Sequence, residues 1–176
     1  MCRGLESLPS ACLERAKELK ARFGSLLHKK QMGLTGQKTV MSRQMVVASL
    51  RWKESFQELL RDEQSLCAFQ AFLKSEYSEE NLAFYLACED YMNTQSSSKL
   101  PAKAKKIYSE FIVCDAPREV NLDHETKTST VKNLENPTNC CFDLARAKIY
   151  YLMEKDCYPR FLKSVACQEL SRQLAA

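Results

Sequence analysis

Nine cysteines and two histidines are the side chains of this 176-residue sequence best suited to act as nucleophiles or metal ligands. Their spacing organises them for neither task. The cysteines fall singly or as the adjacent pair Cys140-Cys141, with no CxxC. That is a poor zinc site and, being odd in number, a poor disulfide framework. His28 and His124 have no neighbouring cysteine or serine in a recognisable nucleophile motif. Gly33, Gly36, Lys38 and Thr39 have some of the composition of a phosphate-binding loop. The spacing is wrong, Gln37 separates the glycine from the lysine, and no strand precedes them. No catalytic constellation, metal site or cofactor motif emerges, and the expectation is a protein without catalytic chemistry of its own.

The elements behind these residues read as helices. Glycine occurs only at positions 4, 24, 33 and 36, and none follows Gln37. A sheet-rich domain of that length would draw on glycine at its turns. Apolar residues make up 45% of the chain, enough for a substantial core. Trp52, Phe56, Leu59 and Leu60 form one helical face; Leu66, Phe69, Phe72 and Leu73 form the next. Leu82, Tyr85, Leu86 and residues 88–92 belong to a helix that Ser78 is placed to cap, with Glu79 and Glu80 suiting its amino-terminal dipole. Residues 93–99 are a polar loop. Pro101 opens a helix lined by Ala104, Ile107, Tyr108, Phe111 and Ile112. Residues 117–123 are irregular. Asp123 is placed to cap a helix reaching Leu134, which Asn136-Pro137 ends. Phe142, Ala145, Ile149 and Leu152 line a further helix, and Tyr158, Phe161, Leu162, Val165 and Leu170 the last. The fold class is all-α.

Charge divides the chain. Residues 1–30 carry seven basic and three acidic residues, whereas the remainder carries 19 of each. Within residues 5–28, Leu5, Leu8, Cys12, Ala16, Leu19, Phe23, Leu26 and Leu27 recur at helical steps, with Arg15, Lys17, Lys20 and Arg22 beside or opposite them. The pattern fits a helix lying in a membrane interface, and equally an ordinary amphipathic helix docked on a domain. The basic excess and the flanking Cys2 and Cys12 favour an acidic membrane surface over nucleic acid. Residues 31–46 read as a linker. Glu6 and Glu14 interrupt any secretory core, and no apolar run approaches the length that crosses a bilayer. Reduced thiols and a cytoplasmic location are expected.

Three segments together carry a family resemblance: AFLKSEYSEENLAFYLACEDY at 71–91, KAKKIYSEFI and APREVNLD within 103–123, and CFDLARAKIYYLMEKDCYPRFLKS at 141–164. In this order and at these separations they resemble the core of the regulator of G-protein signalling (RGS) domain, over residues 55–171. The opening MCRGLESLPSACLERAKELK resembles the small family members that carry an amphipathic amino-terminal helix. The resemblance implies a bundle of about nine short helices in two lobes. It also implies GTPase activation on Gα subunits of the Gi/o and Gq classes, which damps receptor signalling.

Carried over by position, Tyr77, Ser78, Glu80 and Asn81 fall in the first segment that contacts the Gα switches. Val120 and Asn121 form the second, with Asn121 reaching towards the residues that orient the attacking water. Leu152, Glu154, Asp156, Cys157 and Arg160 form the third, where Asp156 accepts from a switch amide and Arg160 orients Asp156. Read singly, Ser78 is a helix cap and Asp156–Arg160 an i,i+4 pair. This sequence departs from the family pattern at Tyr85 (usually Trp), Ala83 (usually acidic), Ser65 (commonly Gly) and Cys157 (Ser).

The resemblance also implies S-palmitoylation at Cys2, Cys12 and Cys88, though Cys88 reads equally as a buried core thiol. It implies oxygen-sensitive arginylation and degradation at Cys2 once Met1 is removed. Lys99, Lys103, Lys105 and Lys106 form a second basic cluster. They suit phosphoinositide or calmodulin, or else a solvated helix face. The expected location is peripheral, at the inner leaflet of the plasma membrane.

Overall fold

The computed structural model describes residues 51–175. The expectations for residues 1–30 and 31–46, and for Cys2 and Cys12, lie outside the described residues.

The described residues form eight α-helical segments and no strand. They are α1 (Phe56–Arg61), α2 (Glu63–Ser75), α3 (Glu79–Met92), α4 (Leu100–Phe111), α5 (His124–Asn133), α6 (Asp143–Leu152), α7 (Tyr158–Lys163) and α8 (Val165–Ala175). A π turn over Met153–Cys157 joins α6 to α7, so residues 143–163 run as one continuous rod. The helices pack in two groups. α1, α2, α7 and α8 form a terminal group, and α3, α4, α5 and α6 a central one. The rod belongs to both.

Local chemistry explains most boundaries. Asp62 caps α2, its carboxylate accepting from the Ser65 amide at 2.8 Å. Ser65 is fully buried in the α1–α2 elbow, where its hydroxyl donates to the Leu59 carbonyl at 2.9 Å. Asp123 caps α5 as expected, accepting from the Thr126 amide at 2.9 Å. Pro101 sits in the first turn of α4, where its missing amide costs nothing. Ser78 differs from expectation. It holds the N-cap position of α3 but its side chain accepts no bond from that helix; its hydroxyl points back to the Leu73 carbonyl.

The terminal group is knotted by aromatic rings. Phe69 meets Phe56 at 5.6 Å and Phe161 at 5.4 Å, while Phe161 also meets Phe72 and Trp52. The Tyr158 hydroxyl donates to the Trp52 carbonyl at 2.8 Å, across more than 100 residues of chain. In the central group Phe84 packs on Phe111 and Tyr91 on Phe142. Phe84 is fully buried, whereas Tyr85 is only half-buried. α3 is contacted by α2, α4 and α6, so its apolar residues are not confined to one face. The single last helix expected from Tyr158 to Leu170 is instead two, broken at Ser164, and Val165 is 79% exposed.

The π turn has a packing cause. Ala145, Ile149, Met153, Cys157 and Phe161 are all buried, a strict four-residue repeat. In an unbroken α-helix of 3.6 residues per turn that repeat drifts by about 160° over 16 residues and leaves the core face. The wider π turn absorbs part of the drift. It keeps Met153 and Cys157 inside while leaving Asp156 and Arg160 on the outside.

Candidate functional site

The first site segment is built by the end of α2. The Ser78 amide bonds to the Leu73 carbonyl at 2.9 Å and the Tyr77 amide to the Lys74 carbonyl at 3.2 Å. These are the two bonds of a Schellman motif, with Tyr77 at the position that glycine usually takes. Tyr77 accordingly has φ 53, a left-handed value that costs a bulky residue free energy. The motif turns the chain sharply and leaves Tyr77 95% exposed. Ser78 and Glu80 are half-buried behind it. Asn81 is buried; its Nδ2 makes only long bonds, 3.3 Å to the Ser78 carbonyl and 3.4 Å to Glu80 Oε1. Its Oδ1 has no hydrogen-bond partner among the described residues.

The second segment is a braced loop between α4 and α5. The Val120 amide donates to the Phe111 carbonyl at 2.9 Å, and the Arg118 amide to the Glu110 carbonyl at 3.1 Å. The Arg118 guanidinium also pairs with Glu110 and lies 4.7 Å from the Phe111 ring centroid. Glu119 accepts from Lys127 at 2.5 Å and from the Asp115 amide at 3.0 Å, and these bonds hold its carboxyl below the usual range. Lys148 and the Thr126 amide hold the Asp123 carboxyl well below the usual carboxylate range. The Lys148 pair also ties the loop to α6, one turn before Leu152. Asn121 projects from this frame, exposed, while Val120 beside it is fully buried. Val120 therefore offers no surface to a partner and serves as the peg that seats Asn121.

The third segment is the π turn and the start of α7. Asp156 and Arg160 are exposed, and Leu152 and Glu154 half-buried. Arg160 Nη2 donates to Asp156 Oδ2 at 2.8 Å, the arrangement expected for an arginine that orients the carboxylate. Arg160 Nη1 also pairs with Glu76, on the turn that carries the first segment. Arg160 thus brings the first and third segments together. Glu76 joins this candidate cluster although the sequence did not single it out; an acidic residue at the carboxy-terminal end of α2, where the helix dipole disfavours negative charge, was the available signal. Cys157 is buried, with Sγ 3.9 Å from Asp156 Oδ2 and from Arg160 Nη2. Burial first, and then the Asp156 charge, push its thiol up to about 11. It supports Asp156 from beneath and is not an exposed contact.

The remaining sequence-predicted residues lie elsewhere. Cys88 is buried in α3, and burial raises its thiol well above the ordinary value. The core-thiol reading holds in this fold, and acylation at Cys88 would require the helix to open. Lys105 and Lys106 are exposed on α4, and Lys99 is exposed at the residue just before it. Lys103 is drawn away from them to Asp90 at 2.8 Å and Thr94 at 2.9 Å. Among the described residues, no group of three or more His, Cys, Asp or Glu side chains is placed to hold a metal ion, and no helix is long and apolar enough to cross a membrane.

The candidate residues are therefore amides, carboxylates and one shared guanidinium, presented by turns on a helical frame. Residues 55–170 match the family model of the regulator of G protein signaling domain. The chain belongs to the regulator of G-protein signalling family. It is 47% identical to regulator of G-protein signaling 16 of Rattus norvegicus, over all of this chain and 93% of the relative. The Homo sapiens protein of that name is also 47% identical, over all of this chain and 92% of the relative. Regulator of G-protein signaling 5 of Sus scrofa is 46% identical, over 96% of this chain and 98% of the relative.

Proposed function

We propose that this chain is a GTPase-activating protein for Gα subunits of the Gi/o and Gq classes, and so an inhibitor of receptor signalling through them. The reading is carried by membership of the family together with the retention of Asn81, Asn121, Asp156 and Arg160. The mechanism is transition-state complementarity. Gα holds its own catalytic arginine in cis, so an activator need supply no charge to the transferred phosphoryl group. It accelerates hydrolysis by binding the reorganised switches better than their GTP ground state. Tyr77, Ser78, Glu80 and Asn81 grip one switch segment. Asn121 steadies the residues that orient the attacking water. Asp156, held by Arg160, accepts from a switch amide, with Leu152 and Glu154 at the border. Val120 and Cys157 act from within the domain.

The test is single-turnover GTP hydrolysis by purified Gαi and Gαq, with and without the full chain. Acceleration is expected for both. Asn121→Ala and Asp156→Ala are expected to lose most of it while the helical circular dichroism persists. An absence of acceleration with either Gα, in solution and on vesicles, would sink the reading.

Residues 1–30 are proposed to bind the anionic inner leaflet of the plasma membrane, with palmitate at Cys2 and Cys12 as the second anchoring signal. Vesicle co-sedimentation should need anionic lipid and should weaken in Leu19→Asp or Phe23→Asp. Lys99, Lys105 and Lys106 form the proposed phosphoinositide or calmodulin surface.

A further inference from the structure

Arg160 is shared by two carboxylates from two different parts of the chain. Nη1 pairs with Glu76 at the end of α2, and Nη2 with Asp156 in the π turn at 2.8 Å. Its guanidinium carbon also lies 5.9 Å from the Phe72 ring centroid. All three side chains keep solvent access: 44% for Arg160, 34% for Glu76 and 57% for Asp156. Glu76 is the C-cap residue of α2, and its amide donates to the Phe72 and Leu73 carbonyls. Its backbone is thus fixed by the same turn that forces Tyr77 into the left-handed region. A carboxylate here lies against the negative end of the helix dipole, an unfavourable placement that the guanidinium offsets. A planar guanidinium has donors for two carboxylates at once, which an ammonium cannot match in geometry.

We infer that Glu76 is a positioning residue of this surface: it holds Arg160 from the α2 end, and through Arg160 it sets Asp156, so that the first and third segments act as one unit. The inference rests on the proposed function, since the surface it organises is the one read as facing Gα. Without Glu76, Arg160 keeps one carboxylate partner, and only the Phe72 ring still ties it, and through it Asp156, to α2.

The experiment combines Glu76→Gln, Arg160→Ala and the double variant in the full chain. Single-turnover GTP hydrolysis by Gαi and affinity for fluoride-activated and GDP-bound Gαi are measured for each. Glu76→Gln keeps the size and acceptor oxygen but removes the charge. It is expected to lower both the acceleration and the preference for the fluoride-activated state about five-fold, the upper end for a partly exposed ion pair. In the Arg160→Ala background the same substitution should change neither further, because its route of action is gone. Side-chain NMR gives a readout that does not depend on Gα. The Arg160 guanidinium signal, assigned by its absence in Arg160→Ala, should be sharp in the parent chain and broadened in Glu76→Gln. Equal losses in both backgrounds would make Glu76 a direct contact and overturn the inference. An unchanged Arg160 signal would overturn it as well. If the parent chain accelerates no Gα, the proposed function fails and the inference falls with it, whereas failure of the background comparison alone leaves the proposed function standing.

Discussion

Asn81 is the residue at which the stability of the domain and its proposed work pull in opposite directions. Its side chain is buried, yet Oδ1 has no partner among the described residues, and its two Nδ2 bonds are 3.3 and 3.4 Å long. A buried acceptor without a donor costs about 1–3 kcal/mol, and two bonds at that length return at most about 0.5 kcal/mol each. Leucine has nearly the same branched shape and neither polar atom. Asn81→Leu is therefore expected to stabilise the free domain by about 1 kcal/mol, roughly 4 °C in melting temperature for a domain of this size. The same change removes the amide whose Nδ2 bonds hold the Ser78 carbonyl and the Glu80 carboxylate of the first segment, which the proposed function turns towards Gα. One hydrogen bond of about 1.4 kcal/mol corresponds to a loss of about ten-fold in GTPase acceleration. Calorimetry and single-turnover hydrolysis on the same preparations test the two signs together. A melting temperature that falls, or a stabilised variant whose acceleration is undiminished, would refute the reasoning.

Ser65→Ala should lower stability in urea by about 1 kcal/mol, because the buried Leu59 carbonyl loses its donor. Lys105→Ala and Lys106→Ala should each weaken binding to phosphoinositide-containing vesicles about five-fold, whereas Lys103→Ala, whose ammonium is engaged by Asp90 and Thr94, should leave binding unchanged in co-sedimentation. Iodoacetamide at pH 8 should label exposed Cys114 and spare buried Cys88, as read by mass spectrometry of the native protein. Stability should fall with alkaline pH. Burial raises the Cys141 and Cys157 thiols from 9.0 to about 11, so between those values the unfolded chain has released protons that the folded chain retains. Thermal midpoints should thus hold steady up to about pH 9 and decline towards pH 11.

Helical periodicity located most of the core because it depends on residues a few positions apart. Asp123 was legible as a cap for the same reason: carboxylate and target amide are three residues apart. What escaped was set by tertiary context. Ser78 has the residue type of a cap, but the Schellman turn before it claims its amide and turns its hydroxyl to Leu73. Nothing at Tyr77 announces that turn, since the glycine that usually marks it is absent. Phe84 and Tyr85 exchanged expected places because α3 is covered by several neighbours, and a one-faced pattern does not describe it. At the candidate site, the residue types came from resemblance. The Glu76–Arg160 pair joins positions 84 residues apart, and no local pattern links them.

The π turn shows why a binding surface arises where it does in this fold. The rod from Asp143 to Lys163 must serve two cores, burying Ala145 and Ile149 in one and Tyr158 and Phe161 in the other. A regular helix cannot keep a four-residue repeat on one face over that length, so the backbone widens between the cores. Widening leaves backbone carbonyls less well matched to amides and the local side chains re-aimed, and it favours small or flexible residues inward. Met153 and Cys157 meet that need. The residues re-aimed outward at the same place are Asp156 and, one turn on, Arg160. Arg160 then reaches across to Glu76 at the end of α2, which packs against α7 in the terminal group. The polar surface is thus a consequence of joining two cores with one helix. Shortening the rod by deleting one residue of the π turn should either rotate Phe161 out of its aromatic cluster or swing Asp156 inward. In both cases tryptophan emission from Trp52, 6.1 Å from Phe161, should shift together with the loss of GTPase acceleration. Loss of acceleration with unchanged emission would separate the surface from the core and defeat this account.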